Sequence, residues 1–356
     1  MAEATRTSSA STPGMMIPVF LIAAALLIGY VDRGSLSIAA PVVMTEFGLS
    51  ASQLGLLFSG FFWAYTVGLF AGVPFIDRFR PGYVLAGGFL VWSLATAMTG
   101  AVHSFEALLI ASYGWRAVFV AIGLISLLWL PLWLRWMPRG PGQIADVGPP
   151  PPLARIVRQR AFWGSTLGMF CLAYFLYFTI TWLPTYLAEA HSLSTDEMTL
   201  AVTLYYLADA CGSLATGAIT DMQIRRGRAP GLVRKAALAG GCVVAAAGMM
   251  MCLVSGAPAY KVWLAVAGLG FGCANSGAWA FIQTLAGPTA TGRWTSLTNG
   301  FATFAGILAS ILTGVLVDRT GDFNAALTAT AGICLLGALM WTLVVGPFRP
   351  VAWRTT

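Results

Sequence analysis

Long apolar stretches, separated by short polar turns, run along almost the whole chain. Each stretch is bounded by glycine, proline or charged residues, and each reaches the length of about 20 residues that a helix needs to cross a bilayer. The pattern therefore predicts ten transmembrane helices, at residues 16–40, 52–76, 82–102, 113–135, 163–187, 197–220, 232–255, 260–286, 293–317 and 325–347. Because ten helices leave no room for a separate soluble domain, the predicted fold class is an all-α membrane protein.

Composition narrows the class of protein in the same direction. Of the 356 residues, 58% are hydrophobic and only 9% are charged, whereas soluble domains carry about 25% charged residues. Such a chain cannot cover a normal water-facing surface, which excludes a soluble protein. The net charge of +7 also fits a nucleic-acid binder, but basic residues of membrane proteins gather in cytoplasmic loops. We therefore expect the lipid bilayer as a partner and no nucleic acid.

The basic residues give the predicted helices an orientation. With the amino terminus in the cytoplasm, sixteen Lys and Arg residues fall in cytoplasmic segments, and three (Arg116, Lys261 and Arg319) fall outside. The reversed orientation would exchange these numbers, against the positive-inside rule. We therefore predict a multi-pass protein of the plasma membrane, in a bacterium the inner membrane, with both termini in the cytoplasm.

A polar, proline-rich segment divides the chain into two halves. The predicted parts are a cytoplasmic tail (1–14), an N-terminal half with four helices (15–136), a cytoplasmic linker (137–162), a C-terminal half with six helices (163–348) and a second cytoplasmic tail (349–356). Within the linker, the basic stretch Leu153–Arg160 is either an amphipathic helix on the cytoplasmic leaflet or an ordinary solvated segment. Similar turns, at Asp77-Arg78 and at Asp221, close the second helix of each half and indicate an internal repeat, as in secondary transporters.

Several short motifs in these helices resemble one known family. They are Tyr30-Val31-Asp32-Arg33, Ser59-Gly60-Phe61-Phe62 with Tyr65, the Asp77-Arg78 turn, Gly114-Trp115-Arg116, Trp182–Leu187 and Gly314–Gly321. In combination they resemble the major facilitator superfamily and, within it, the anion:cation symporter family, whose members move hexuronates, galactonate, glucarate, phthalate and similar organic anions with protons. The resemblance implies a helical bundle of two pseudo-repeated halves that transports by alternating access.

The chain is shorter than the family pattern. Residues His103–Ile110 resemble the start of the family's fourth helix, and Tyr113–Phe119 resemble the start of its sixth. We therefore expect the fourth and fifth of the usual twelve helices to be missing at Ile110-Ala111, which leaves about ten helices arranged as four plus six.

One motif falls on the unexpected side of the membrane. The family's cytoplasmic turn usually reads G-x-x-x-D-R-x-G, and this pattern occurs at Gly314, Asp318, Arg319 and Gly321. The predicted topology puts these residues on the outer side. The match is therefore either a chance likeness or the outer end of a helix.

Three charged residues, Asp32, Arg33 and Asp209, lie inside predicted transmembrane helices, where a charge costs at least about 2.5 kcal/mol. The resemblance implies that Arg33 binds a substrate carboxylate, since the family's substrate arginine occupies this position; the alternative is a structural ion pair. Asp32 and Asp209 are candidates for proton coupling, because intramembrane acids form proton relays in transporters, and equally for structural hydrogen-bond partners.

The resemblance also implies further site residues. Tyr30, Tyr65, Ser276, Trp279 and Asn299 would supply hydroxyl, indole and amide contacts to the substrate, although each alone fits helix packing as well. The turns at Asp77, Arg78 and Asp221 would act in gating.

Nothing in the sequence indicates an enzyme. The two histidines, His103 and His191, lie in predicted outer loops, and no metal-ligand spacing, phosphate-binding loop or nucleophile motif occurs. We expect no cofactor and no bound metal, with H⁺ as the coupling ion, a small organic anion as the substrate, and a monomeric protein.

Two functions stay open at this point. The first is a proton symporter of a small organic anion, such as a sugar acid (hexuronate, galactonate, glucarate) or an aromatic carboxylate. The second is a transport-incompetent, truncated membrane protein with a scaffold or sensor role. The second function arises because the helix expected to be missing, the family's fourth, carries the family's paired arginine and its proton-binding glutamate.

Overall fold

Helices make up nearly all of the described chain. The computed structural model describes residues 13–78, 83, 85–91, 93–94, 115–137, 150–191, 193–255 and 259–353. No strand occurs among these residues. The predicted all-α class is therefore confirmed.

In the first part of the chain the described helices are α1 (Pro13–Phe47), α2 (Ala51–Arg78) and α3 (Trp115–Trp136), with further helical residues between 83 and 94. The remainder forms α4 (Leu153–Val157), α5 (Arg160–Thr181), α6 (Leu183–His191), α7 (Thr195–Arg225), α8 (Pro230–Val254), α9 (Ala259–Asn275), α10 (Ala278–Thr320) and α11 (Asn324–Leu339), followed by a π-helical turn (Met340–Val344). The junction at Ile110-Ala111 lies outside the described residues.

Local sequence explains where several of these helices begin and end. A capping box starts α7, since the Ser194 hydroxyl accepts from the Glu197 N–H while the Glu197 carboxylate accepts from the Ser194 N–H. The long helix α10 is kinked at Gly287, which has φ 69° and precedes Pro288. A positive φ and a following proline both oppose a continuous helix, so the kink separates the two transmembrane segments that the sequence predicts there.

Five segments of the described chain are long and apolar enough to cross a membrane. They are Arg160–Thr181, Asp196–Arg225, Pro230–Val254, Ala259–Thr320 and Asn324–Val344, and the fourth of them, with 62 residues, spans two of the predicted helices. Shorter apolar helices lie at Met16–Gly29 and Leu124–Trp136. The total of ten spans stays a prediction.

The described chain packs as two compact units. The first comprises the described residues within Met1–Leu36 and Pro74–Ala145, and the second comprises those within Ser37–Val73 and Asp146–Thr356. This partition by packing does not follow the predicted halves, whose boundaries along the chain stay a prediction.

Tryptophan forms the core of the first unit. Trp129 stacks on Trp133 at 5.3 Å between ring centroids, and both are buried with Leu21, Ala86 and Met137. The Trp129 indole N–H donates to the Leu21 carbonyl at 2.7 Å. This bond satisfies the polar end of a large apolar side chain, as is usual for a buried tryptophan.

Glycine lets three helices of the second unit pack closely. A Cβ atom at Gly268 of α9 would collide with the Tyr205 carbonyl of α7, and one at Gly270 would collide with the Ala245 nitrogen of α8. Gly212 of α7 and Gly241 and Gly248 of α8 meet the α9 backbone in the same way. Small residues at such contacts are the usual means of helix association in lipid.

Replacing one of these glycines tests the packing. We expect Gly270→Ala to destabilise the detergent-solubilised protein by about 1–3 kcal/mol, because the added methyl group meets backbone that cannot rotate away. The matched control is Gly240→Ala on α8, whose Cβ would meet nothing within 4 Å. Equal unfolding temperatures for the two variants would contradict the packing described here.

Candidate functional site

A break in the helical backbone lies at Ser276 and Gly277, between α9 and α10. The Ser276 N–H still donates to the Gly272 carbonyl at 3.1 Å, and a new helix starts as the Phe281 N–H donates to the Gly277 carbonyl at 2.9 Å. Ser276 is exposed and Trp279 is half-buried. Interrupted transmembrane helices line the binding sites of many transporters. The predicted substrate residues Ser276 and Trp279 therefore lie at a helix break of the kind that binds substrates.

An open cavity of about 160 Å³ lies beside this break. Side chains of α7, α8, α9 and α10 line it, among them Thr216, Thr220, Asp221, Arg234 and Ser276. The lining thus combines hydroxyl groups with one acidic and one basic side chain. The structure therefore brings the predicted substrate residue Ser276 together with the predicted gating residue Asp221.

Asp209 lies where α7 packs against α9. A Cβ atom at Gly272 would lie 2.8 Å from the Asp209 Oδ1, so the glycine leaves the space that the carboxylate fills. One turn further along α7, the Ser213 hydroxyl donates to the Gly272 carbonyl at 3.1 Å. Asp209 is half-buried, in a position compatible with both the proton-coupling and the structural role.

Tyr65 is part of an aromatic group on α2. Its ring stacks on Phe61 at 5.9 Å between centroids, and the neighbouring Phe62 packs against Tyr177 of α5 at 4.4 Å. Tyr65 itself is half-buried. The predicted substrate residue therefore lies at the edge of a packed aromatic cluster.

Asn299 lies next to a buried polar contact between α5 and α10. Asn299 is half-buried, and its backbone carbonyl accepts a hydrogen bond from the Thr303 hydroxyl at 2.9 Å. The adjacent Thr298 is fully buried, and its hydroxyl lies 3.0 Å from that of Thr166. This contact ties the α10 segment that carries Asn299 to α5.

The remaining predicted site residues are placed only by their backbone. Tyr30, Asp32 and Arg33 lie in α1, and Asp77 and Arg78 are the last two residues of α2. Their side chains lie outside the described part of the structure.

Sequence reasoning missed some residues that the structure brings to these sites. Arg234 is one of the sixteen basic residues in predicted cytoplasmic segments, yet it also lines the cavity, and its guanidinium donates to the Thr284 hydroxyl at 3.3 Å. Thr216 and Thr220 carried no signal, because threonine is common in helices of this kind. Among the described residues, no group of three His, Cys, Asp or Glu side chains is placed to hold a metal ion.

Family comparison identifies the kind of protein. Residues 22–112, 104–310 and 193–355 each match the Major Facilitator Superfamily, and these matches span most of the chain. The chain belongs to the Major Facilitator Superfamily. Members of this superfamily are transporters rather than enzymes, and the chain is therefore a multi-pass membrane protein of a transporter family.

Several curated relatives are named as transporters of sugar acids. The chain is 24% identical to a probable galactarate/D-glucarate transporter of Bacillus subtilis (94% of this chain and 93% of the relative). It is 25% identical to a probable L-galactonate transporter of Escherichia coli K12 (96% and 91%) and 26% identical to a hexuronate transporter of B. subtilis (93% and 95%). The predicted resemblance is confirmed.

Solved structures show the same fold. Two crystal structures of a bacterial homologue of the human lysosomal transporter Spinster, both inward-facing, match this chain. The occupied form has a TM-score of 0.66 at 15% identity (92% of this chain and 96% of that chain). The unoccupied form has a TM-score of 0.70 at 14% identity (94% and 98%).

The cavity can be tested by its access to water. We expect Ser276→Cys to react readily with a water-soluble maleimide in a background that lacks the exposed Cys211 and the cavity-lining Cys273, because Ser276 is exposed in the cavity. Ala278→Cys, two residues away at a position that is 0% exposed, should react at least about tenfold more slowly. Equal labelling rates at both positions would argue against the cavity.

Proposed function

We propose that this member of the Major Facilitator Superfamily is a proton symporter of a small organic anion and works by alternating access. The substrate class is a sugar acid such as hexuronate, galactonate or glucarate, with aromatic carboxylates as the neighbouring alternative. The observation that carries the proposal is the likeness to named sugar-acid transporters over more than nine-tenths of both chains.

The proposed location is the bacterial inner membrane, with both termini in the cytoplasm. The excess of basic residues in the segments assigned to the cytoplasm supports this orientation. It puts the cavity with Asp221 and Arg234 on the cytoplasmic side. The inward-facing states of both solved neighbours support a cycle in which that side opens. We expect a monomer with no cofactor.

Within the proposed site, Arg33 binds the substrate carboxylate, and Tyr30, Tyr65, Ser276, Trp279 and Asn299 contribute further contacts. Arginine suits this role because its guanidinium can hold a carboxylate through two parallel hydrogen bonds. Asp32 or Asp209 carries the coupled proton. Asp77, Arg78 and Asp221 act in the cytoplasmic gate.

A second candidate function rests on the length of the chain. The alignment with the B. subtilis galactarate/D-glucarate transporter is 430 positions long, whereas this chain has 356 residues, so part of the relative lies opposite gaps. The expected loss of two helices near Ile110-Ala111 would account for these gaps. A chain without its fourth helix would be a transport-incompetent membrane protein, with a scaffold or sensor role, if loss of the family's paired arginine together with its proton-binding glutamate abolished substrate binding.

Uptake into proteoliposomes under an inward proton gradient separates the two functions. We expect saturable uptake of galactonate, glucarate or a hexuronate, and a loss of about hundredfold in Arg33→Ala, since truncating one partner of a desolvated charge pair costs about 2–5 kcal/mol. Uptake by Arg33→Lys should lie between that of the parent protein and that of Arg33→Ala, because lysine keeps the charge but cannot form two parallel hydrogen bonds to a carboxylate. The control is Arg228→Ala, at an exposed position after α7. Absence of uptake for the whole panel would favour the truncated scaffold.

Proton coupling is tested separately by exchange. If Asp209 carries the proton, Asp209→Asn should retain exchange of labelled for unlabelled substrate while losing accumulation driven by the pH gradient. Asp196→Asn is the control, because it removes an exposed acid from the same helix. Unchanged accumulation in Asp209→Asn would exclude this residue and leave Asp32 as the candidate.

A further inference from the structure

A carboxylate near the end of α10 caps the beginning of α2. Asp318 accepts two hydrogen bonds through its two oxygens, from the Ala51 N–H to Oδ1 and from the Ser52 N–H to Oδ2, each 2.9 Å long. Asp318 lies 267 positions from Ala51 and 266 positions from Ser52 in the chain. The start of a helix carries partial positive charge and free N–H groups. A carboxylate there is therefore stabilised both by the helix dipole and by hydrogen bonds.

The local sequence leaves these two N–H groups without a partner of their own. The Ser50 N–H donates to the Gln53 side chain at 2.9 Å, and the Gln53 N–H donates to the Ser50 hydroxyl at 3.3 Å. This reciprocal cap satisfies the N–H groups of Ser50 and Gln53, at the two ends of the first turn. Asp318 supplies the two bonds that the local cap does not.

The two helices pack closely below this cap. A Cβ atom at Gly314 would collide with the Ala51 carbonyl, and one at Gly55 would collide with the Ser310 carbonyl. Further along, a Cβ atom at Gly306 would collide with the Phe62 ring. The contacts on α10 recur every four residues, at 306, 310, 314 and 318, so one face of α10 meets one face of α2. We call this contact the α2–α10 seam.

The motif at Gly314–Gly321 thereby acquires a structural account. Gly314 permits the close approach, Asp318 caps α2, and Gly321, with φ 76°, ends α10. The predicted topology puts the start of α2 and the end of α10 on the outer side of the membrane. The match is therefore the end of a helix with a defined contact.

We propose that Asp318 is a gating residue: its capping of α2 holds the outer end of the α2–α10 seam closed, and release of the cap accompanies opening. The proposal rests on the proposed function, because alternating access requires the outer side to close and open. In the predicted topology, it adds an outer gate to the cytoplasmic gate proposed for Asp77, Arg78 and Asp221.

The chemistry of the contact suits a reversible closure. Asp318 is exposed, so water can take over as partner of the carboxylate and of both N–H groups when the helices separate. Exchange of this kind makes the net contribution of such hydrogen bonds small. The cap therefore biases the seam towards the closed state without preventing its opening.

The test measures opening of the seam directly, in lipid nanodiscs that expose both faces of the protein. The reporter is Leu54→Cys, since Leu54 is fully buried on α2 between Ala51 and Gly55, and labelling by a water-soluble maleimide requires opening. We expect Asp318→Ala to raise the labelling rate about three- to thirtyfold, the range that corresponds to loss of a helix cap. The matched control is Asp196→Ala, which removes an exposed acid from the first turn of α7.

Two further measurements keep a gating role apart from simple unfolding. Native Cys242 is 0% exposed in the helix core, and it should label at the parental rate in every variant. Gly314→Ala should also raise labelling at Leu54→Cys, because its methyl group pushes the seam apart, whereas Gly332→Ala, with nothing within 4 Å, should not.

Three outcomes would overturn the proposal: unchanged labelling in Asp318→Ala, an equal increase in Asp196→Ala, or a matching increase at Cys242. Labelling needs no substrate and no proton gradient. A protein that fails to transport can therefore still show the expected labelling, and a transporting protein can fail to show it.

Discussion

In lipid, helices gain little free energy by burying apolar side chains against one another, because the surrounding chains are equally apolar. Association then depends on close backbone approach, and the second unit achieves it with glycine. Gly268 and Gly270 let α9 approach α7 and α8, and Gly55 and Gly314 let α2 approach α10. The cavity at Ser276, the position of Asp209 against Gly272 and the α2–α10 seam all depend on these approaches.

The same environment explains why many hydroxyl groups of the described residues bond within their own helix. Most threonine hydroxyls donate to a carbonyl one turn earlier on their own helix, as Thr203 does to Thr199 and Thr330 does to Ala326, which satisfies them without a neighbour. Contacts such as Thr166 with Thr298, or Asp318 with the start of α2, instead join two different helices. They fix one helix relative to another, and a contact of that kind has to change when helices move.

The sequence predicted the helices of the C-terminal half well, because their apolar stretches are long and are bounded by glycine, proline or charged residues. Residues 325–347 correspond to Asn324–Val344, and the Gly287-Pro288 pair marks the division of α10. The resemblance named Ser276 and Trp279, and the structure adds the backbone break beside them. Asp318 could not be assigned in advance, since its partners lie more than 260 residues away and topology alone cannot tell a chance motif from a cap.

The expected loss of two helices bears differently on movement and on coupling. The α2–α10 seam lies wholly within Ser37–Val73 and Asp146–Thr356, so a deletion near Ile110-Ala111 removes no residue from it. By resemblance, the family's fourth helix carries its proton-binding glutamate, so the deletion would remove the usual coupling site. A chain that keeps its gate and its substrate arginine but has no coupling acid would equilibrate its substrate without accumulating it. Under the proposed function, Asp32 or Asp209 takes over the proton, and the exchange measurement on these two acids separates a symporter from a facilitator.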